Sequence, residues 1–186
     1  FVDLDHLLAE ADVVSLSVPL NASTQKMADG EFFDKMKFGA FFINTARGEI
    51  VDDDALLAAI PKLGPVIIDT WNNEPNVDVN LMAKITIATP HIAGYSHQGK
   101  QRATAAAVRA VARYFKIDAL YEFFPVTEIA ELEAVKLNLS GLTQGEITSV
   151  FQYNYPIFTD DFMFRVNPEK FDELRHLYRY RREFYI

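Results

Sequence analysis

Cysteine is absent from the 186 residues, which excludes disulfides and thiolate metal sites alike. That absence fits a cytoplasmic protein. No apolar run approaches the ~18–20 residues that cross a bilayer, and the N-terminus lacks the basic-then-apolar pattern of a signal peptide. Excess positive charge is missing too. The net charge of −8 argues against a nucleic-acid binder, which needs a basic face. An acidic chain still binds a small anion where a few arginines focus the local field. There are no internal repeats and no low-complexity stretches. Apolar residues are plentiful: 49% are hydrophobic, enough for a substantial core in one large domain or one and a half smaller ones.

The opening Phe1-Val2-Asp3-Leu4-Asp5 has no initiator Met and falls straight into a helical spacing (Leu4, Leu7, Leu8), so the chain is expected to begin mid-domain. A short helix over 3–10 leads to a strand at 13–18, closed by Pro19. Asp29 caps a helix that carries Phe32, Phe33 and Met36 on one side. Strands follow at 40–43, 65–68 and 85–88, separated by helices at 53–60 and near 78–83. Strands apolar throughout, alternating with helices, predict a parallel sheet buried on both faces, the doubly wound α/β class.

From Ser96 to Lys116 the period becomes that of one long helix, with Thr104, Val108, Val111 and Phe115 as its stripe and Arg102, Arg109 and Arg113 opposite. A domain boundary is expected after it, giving 1–95, 96–116 and 117–186. In the last of these, 135–140 alternates like a half-exposed strand, and Thr143-Gln144-Gly145-Glu146 is a capping box that starts a helix. Asn167-Pro168 reads as a cap and first turn of another helix. The aromatics of 117–186 exceed what so small a domain buries alone, so a homodimer through this segment is expected.

The chemistry gathers at three strand ends. Ile43-Asn44-Thr45-Ala46-Arg47-Gly48 leaves a cation at the carboxyl end of a strand, the edge where open α/β sheets bind ligands. An arginine there is either a surface ion-pair partner or a clamp for a carboxylate, since its planar fork binds two oxygens. Asp69 ends the strand at 65–68, and on its own it reads as the cap of the following turn. Glu74 and His91 belong together: a carboxylate fixes the tautomer of a histidine and stabilises its imidazolium, as a general acid–base requires. Alone, His91 would read as a satisfied core histidine. His6 and His176 sit in amphipathic helices without such a partner, and His97 lies near the site at the start of the long helix.

The set Asn44-Thr45-Ala46-Arg47-Gly48 with Val51-Asp52, Asp69 five residues before Glu74-Pro75, and Thr89-Pro90-His91-Ile92-Ala93-Gly94 resembles the D-isomer-specific 2-hydroxyacid dehydrogenases. The motifs occupy residues 13–95 in order. The extension Tyr95-Ser96 with Gly99-Lys100, and Phe171-Asp172-Glu173-Leu174-Arg175 in the tail, resembles a branch of that family with an added C-terminal dimerisation domain. The resemblance implies a partial Rossmann-type sheet, a long connecting helix and a small α+β dimerisation domain. It further implies NAD as cofactor, a small phosphorylated hydroxy acid as substrate, and no metal. By it Arg47 would orient the substrate carboxylate, Glu74 would hold His91, and His91 would take the hydroxyl proton. Val18, Thr45, Ala46, Arg47, Asp69 and Gly94 would contact the cofactor, and Tyr95 the substrate. One departure is large: no Gly-x-Gly-x-x-Gly occurs, so the phosphate-cradling turn is expected before Phe1. Corepressors of the same fold bind NAD(H) without turning over, but they would be expected to end in a long disordered extension rather than this aromatic tail.

Overall fold

The computed structural model describes residues 2–126 and 137–183. They fall into two compact units, the described residues of 1–93 with 157–178, and those of 94–156 with 179–186.

In the first unit four parallel strands lie in the order β1 (Val13–Leu16), β2 (Phe41–Asn44), β3 (Val66–Ile68) and β4 (Ile87–Ala88). Leu16 stands opposite Asn44, Asn44 opposite Ile68 and Ile68 opposite Ala88, so all four carboxyl ends finish level along one edge. That register brings the three chemistry-bearing loops together. The helices between the strands are short: α1 (Leu4–Glu10), α2 (Gly30–Lys35), α3 (Asp53–Ala59) and α4 (Val79–Met82). Helices of this length do not persist alone. Each has an aspartate cap, with Asp3, Asp29, Asp52 and Asp78 accepting first-turn amides, a contribution of about 1 kcal/mol apiece.

The core lies on one face of the sheet. Phe32, Phe33 and Phe42 meet edge to face at 5.1–6.3 Å, flanked by buried Leu8 and Leu56. Burial therefore alternates along the strands. Val14, Leu16, Phe42, Val66 and Ile68 are buried, whereas Val13, Ser15 and Phe41 are exposed. The parallel strands with helices between them are the expected α/β Rossmann-type sheet, but among the described residues the second face, with Val13, Ser15 and Phe41 exposed, is not fully buried.

Residues 157–178 fold onto this sheet as α7 (Ile157–Val166), a 3₁₀ turn (Pro168–Lys170) and α8 (Phe171–His176). The division expected at residue 117 does not coincide with the two units, and the reason is local. β4 is an edge strand, and Asp161 Oδ1 accepts the Ala88 N–H at 2.6 Å. Arg165 pairs with both Asp161 oxygens at 2.9 Å and donates to the carbonyls of Met82 and Ile85. Buried Phe164 packs against Trp71, and buried Phe171 packs against Phe164 in turn. Asn167 sits at the expected cap position with Pro168 in the first turn, but its side chain donates back to the Met163 carbonyl instead of capping.

In the second unit, α5 (His97–Phe115) is capped by Ser96, whose Oγ accepts the Gly99 N–H at 2.9 Å. Its expected stripe is mostly uncovered: Val111 and Phe115 are more than half exposed, while Ala105 and Ala112 are buried. The capping box forms as read and opens α6 (Gln144–Asn154). Of the strand expected over 135–140, residues 135 and 136 lie outside the described residues, and 137–140 form no strand. No helix among the described residues is long and apolar enough to cross a membrane.

Candidate active site

Strand β2 ends in Asn44, and this buried side chain shapes the turn that follows. Its Oδ1 accepts the Ala46 N–H at 3.1 Å and its Nδ2 donates to the Arg47 carbonyl at 2.9 Å. Asn and Asp favour such turns because the side chain stands in for a backbone group. Gly48 follows from steric necessity: a Cβ there would sit 2.0 Å from the Trp71 carbonyl carbon. Arg47, exposed, donates Nη1 to the Ala46 carbonyl at 2.6 Å. It forms one wall of a cavity of about 520 Å³, with Thr45 and Ala46 beside it and residues 16–20 across from it. This cavity opens at the level carboxyl ends of β1 and β2. Apolar Leu16, Val18, Pro19 and Leu20 can shelter a flat ring, and the guanidinium and loop backbone offer polar partners, so the lining fits a dinucleotide cofactor. Val18, Thr45, Ala46 and Arg47, assigned to cofactor by resemblance, all line it.

Beyond β3, Asp69 organises the turn that carries His91. Its Oδ1 accepts Thr89 Oγ1 at 2.6 Å and the Ile92 N–H at 2.8 Å, and its Oδ2 accepts the Ala93 N–H at 3.0 Å. The Asp69 carbonyl accepts the His91 N–H at 2.8 Å. The side chain is only 2% exposed. Burial pushes its carboxyl up, against the opposing pull of those donors and of His91. His91 needs such anchoring because its φ is +55°, a left-handed conformation costly for a residue with a Cβ.

Glu74 reaches the same point from the β3–α4 loop. Its Oε1 accepts the Trp71 N–H at 2.8 Å, and its Oε2 lies 2.8 Å from His91 Nδ1. Burial alone would raise this carboxyl. Hydrogen bonds from His91 and Trp71, with the charges of His91 and Arg175, outweigh it and hold Glu74 below the usual range. An ionised carboxylate only accepts, so His91 Nδ1 carries the proton and Nε2 is left as the basic nitrogen. Each side chain of the pair is about one-fifth exposed, an arrangement chemically able to transfer a proton.

Gly94 and Tyr95 fall in the second unit. Gly94 has φ +80° with no heavy atom within 4 Å of a Cβ. The Tyr95 ring meets Tyr180 edge-on at 5.6 Å, and the Lys100 ammonium lies 3.8 Å from its centroid. Three contributors had no role assigned from the sequence. Asn44 had a signal in its turn propensity. Trp71 acts through its backbone amide and also ties its Nε1 to the Thr89 carbonyl at 2.9 Å. Arg175 donates Nε to the His91 carbonyl at 3.2 Å from 84 residues away, a relation no local pattern encodes.

Residues 1–93 match the D-isomer specific 2-hydroxyacid dehydrogenase, NAD binding domain. An erythronate-4-phosphate dehydrogenase from Bacteroides fragilis is 34% identical over 189 residues, covering 98% of this chain and 52% of its own. The one from Salinibacter ruber is 47% identical over 110 residues, covering 56% and 28% respectively. The solved D-lactate dehydrogenase from Aquifex aeolicus, complexed with NAD and lactic acid, superposes with a TM-score of 0.52 at 31% identity, over 68% of this chain and 44% of that one. The chain spans about half the length of the curated relatives it matches. With a four-stranded parallel sheet, a cavity at the carboxyl ends of β1 and β2 and a histidine–carboxylate pair in the loops after β3 and β4, the chain belongs to the D-isomer specific 2-hydroxyacid dehydrogenase family through that family's NAD binding domain.

Proposed function

We propose that this chain is part of a cytoplasmic, NAD-dependent erythronate-4-phosphate dehydrogenase. The reaction is oxidation of 4-phospho-D-erythronate to 2-oxo-3-hydroxy-4-phosphobutanoate, a step toward pyridoxine 5'-phosphate. The observation that carries the chemistry is the 2.8 Å contact between His91 Nδ1 and Glu74 Oε2. The narrower substrate assignment is supported by similarity to the Bacteroides fragilis enzyme that runs through the tail as well as the NAD binding domain. NAD, when bound, accepts the hydride leaving C2 of the substrate. His91 Nε2 takes the hydroxyl proton as the C2–O bond becomes a carbonyl. Glu74 keeps Nδ1 protonated and balances the imidazolium that results. The Arg47 fork holds the substrate carboxylate, while Val18, Thr45 and Ala46 give the cofactor its wall.

Absorbance at the NADH band, followed for the enzyme that carries this chain, tests the substrate. Its kcat/KM is expected to be at least ~10² higher for 4-phospho-D-erythronate than for D-lactate, since a site built for a charged group rejects the analogue lacking it. A preference for 3-phospho-D-glycerate would turn the assignment to the phosphoglycerate type, and reversible NADH binding with no turnover would favour a corepressor. Without a glycine-rich turn, the 186 residues alone are expected to turn over none of these and to bind NADH weakly. Micromolar NADH affinity in a fluorescence titration of this chain would contradict that.

A homodimer through 117–186 is part of the same reading. Phe158, Phe162 and Val166 line one exposed side of α7, opposite buried Phe164. The double substitution Phe158→Glu, Phe162→Glu is expected to yield a folded monomer in sedimentation equilibrium. An unchanged association constant would remove α7 from the interface.

A further inference from the structure

The proton-transfer pair is held from one side by the NAD binding domain and from the other by the tail. Trp71 gives Glu74 its backbone N–H, and the Trp71 ring packs edge-on against Phe164 at 5.7 Å. Phe171, at the start of α8, packs against Phe164 in turn. One helical turn later, Arg175 donates Nε to the His91 carbonyl at 3.2 Å. His91 is the residue whose backbone most needs support. Its φ is +55°, its N–H is fixed by the Asp69 carbonyl, and the next two amides by the Asp69 carboxylate. Only its carbonyl remains for another element to fix, and α8 supplies the donor.

We propose that Arg175 is a positioning residue for the His91–Glu74 pair, fixing the His91 carbonyl and setting a positive charge beside the imidazole. The proposal rests on His91 being the proton carrier, as argued above. The fork holds the left-handed turn, and with it the ring, at the distance Glu74 requires. Its charge opposes a second positive charge on the imidazole and favours ionised Glu74, in line with the depressed Glu74 carboxyl, to which Arg175 contributes. Two carboxylic groups, Glu74 and Asp69, stand against His91, and Arg175 is a cation that offsets them.

Arg175→Met, in the enzyme that carries this chain, is expected to lower kcat roughly 10-fold with KM for substrate and NAD within about twofold. The acidic limb of kcat should move up by about half a pH unit, because the imidazolium loses a repelling neighbour. Arg175→Lys keeps the charge without the fork, so it should restore the limb but not the full rate. A second readout does not need turnover. The proton on His91 Nδ1, the nitrogen held 2.8 Å from Glu74 Oε2 in the unaltered chain, should give a downfield NMR signal that weakens or moves upfield in the Arg175→Met chain. A folded Arg175→Met variant with unchanged kcat, pH limb and His91 Nδ1 proton signal would overturn the proposal. Loss of melting temperature without those changes would make Arg175 structural only, and that overturns it as well. If His91 proves dispensable for turnover, the proposed reaction fails, yet the His91 Nδ1 proton signal still decides whether Arg175 acts on the pair.

Discussion

Replacing His91 by alanine in the enzyme that carries this chain lowers kcat by at least ~10², the loss expected when a positioned general base is removed. Nothing else described at the pair can take its place: Glu74 is engaged by Trp71 and Asp69 by Thr89, Ile92 and Ala93. Glu74→Gln costs less, since the imidazole remains. The amide cannot balance the imidazolium, so the acidic limb of the profile moves to lower pH, opposite to the shift expected for Arg175→Met. Stability follows the same carboxylate. Glu74 is held below its usual range, so its contribution is complete above about pH 4.5 and is lost as pH falls through the lower folded value. Glu74→Gln should therefore flatten the acid side of the thermal stability curve. Steady-state rates from pH 5 to 9 and melting curves from pH 3 to 7 check both. Near-normal turnover in His91→Ala removes it from the mechanism.

What the sequence made legible was periodic or local. The strand–helix alternation, the aspartate caps and the capping box at Thr143 rest on contacts within a few residues, and they appear where residue chemistry puts them. The Glu74–His91 pairing was legible because both fall at the ends of neighbouring parallel strands, which a level register brings together. The apolar strands misled about the sheet's second face. Val13 and Phe41 are as apolar as their neighbours, yet what covers a face depends on other elements. The same limit explains the long helix. Its stripe of Val108, Val111 and Phe115 has the right period for burial, but period gives a face and not a partner. Residues 157–166 contain Phe158, Phe162, Met163 and Phe164 in quick succession, with polar Asp160 and Asp161 among them. No single amphipathic face stands out in that run, and the helix emerges from tertiary contact with β4 and Trp71.

Phe164→Ala decides whether residues 157–178 belong energetically to the NAD binding domain. Phe164 is fully buried, T-shaped against Trp71 at 72° and tilted against Phe171, both at 5.7 Å. Emptying such a site costs about 3–5 kcal/mol, from lost transfer free energy and from the cavity left behind. For a chain of this size each kcal/mol lowers the melting temperature by about 2–4 °C, so a fall of roughly 6–20 °C is expected. Turnover should fall too, since the Trp71 backbone that holds Glu74 loses its packing partner. Phe164→Leu keeps most of the volume and should show a smaller change in the same direction, which guards against a variant that simply fails to fold. The rival view makes this segment an arm that serves association alone. In that case Phe164→Ala would weaken the dimer in sedimentation equilibrium while melting at high protein concentration stayed within about 2 °C of the unaltered enzyme. A large fall in melting temperature that does not vary with protein concentration is the result required if 157–178 completes the fold around Trp71.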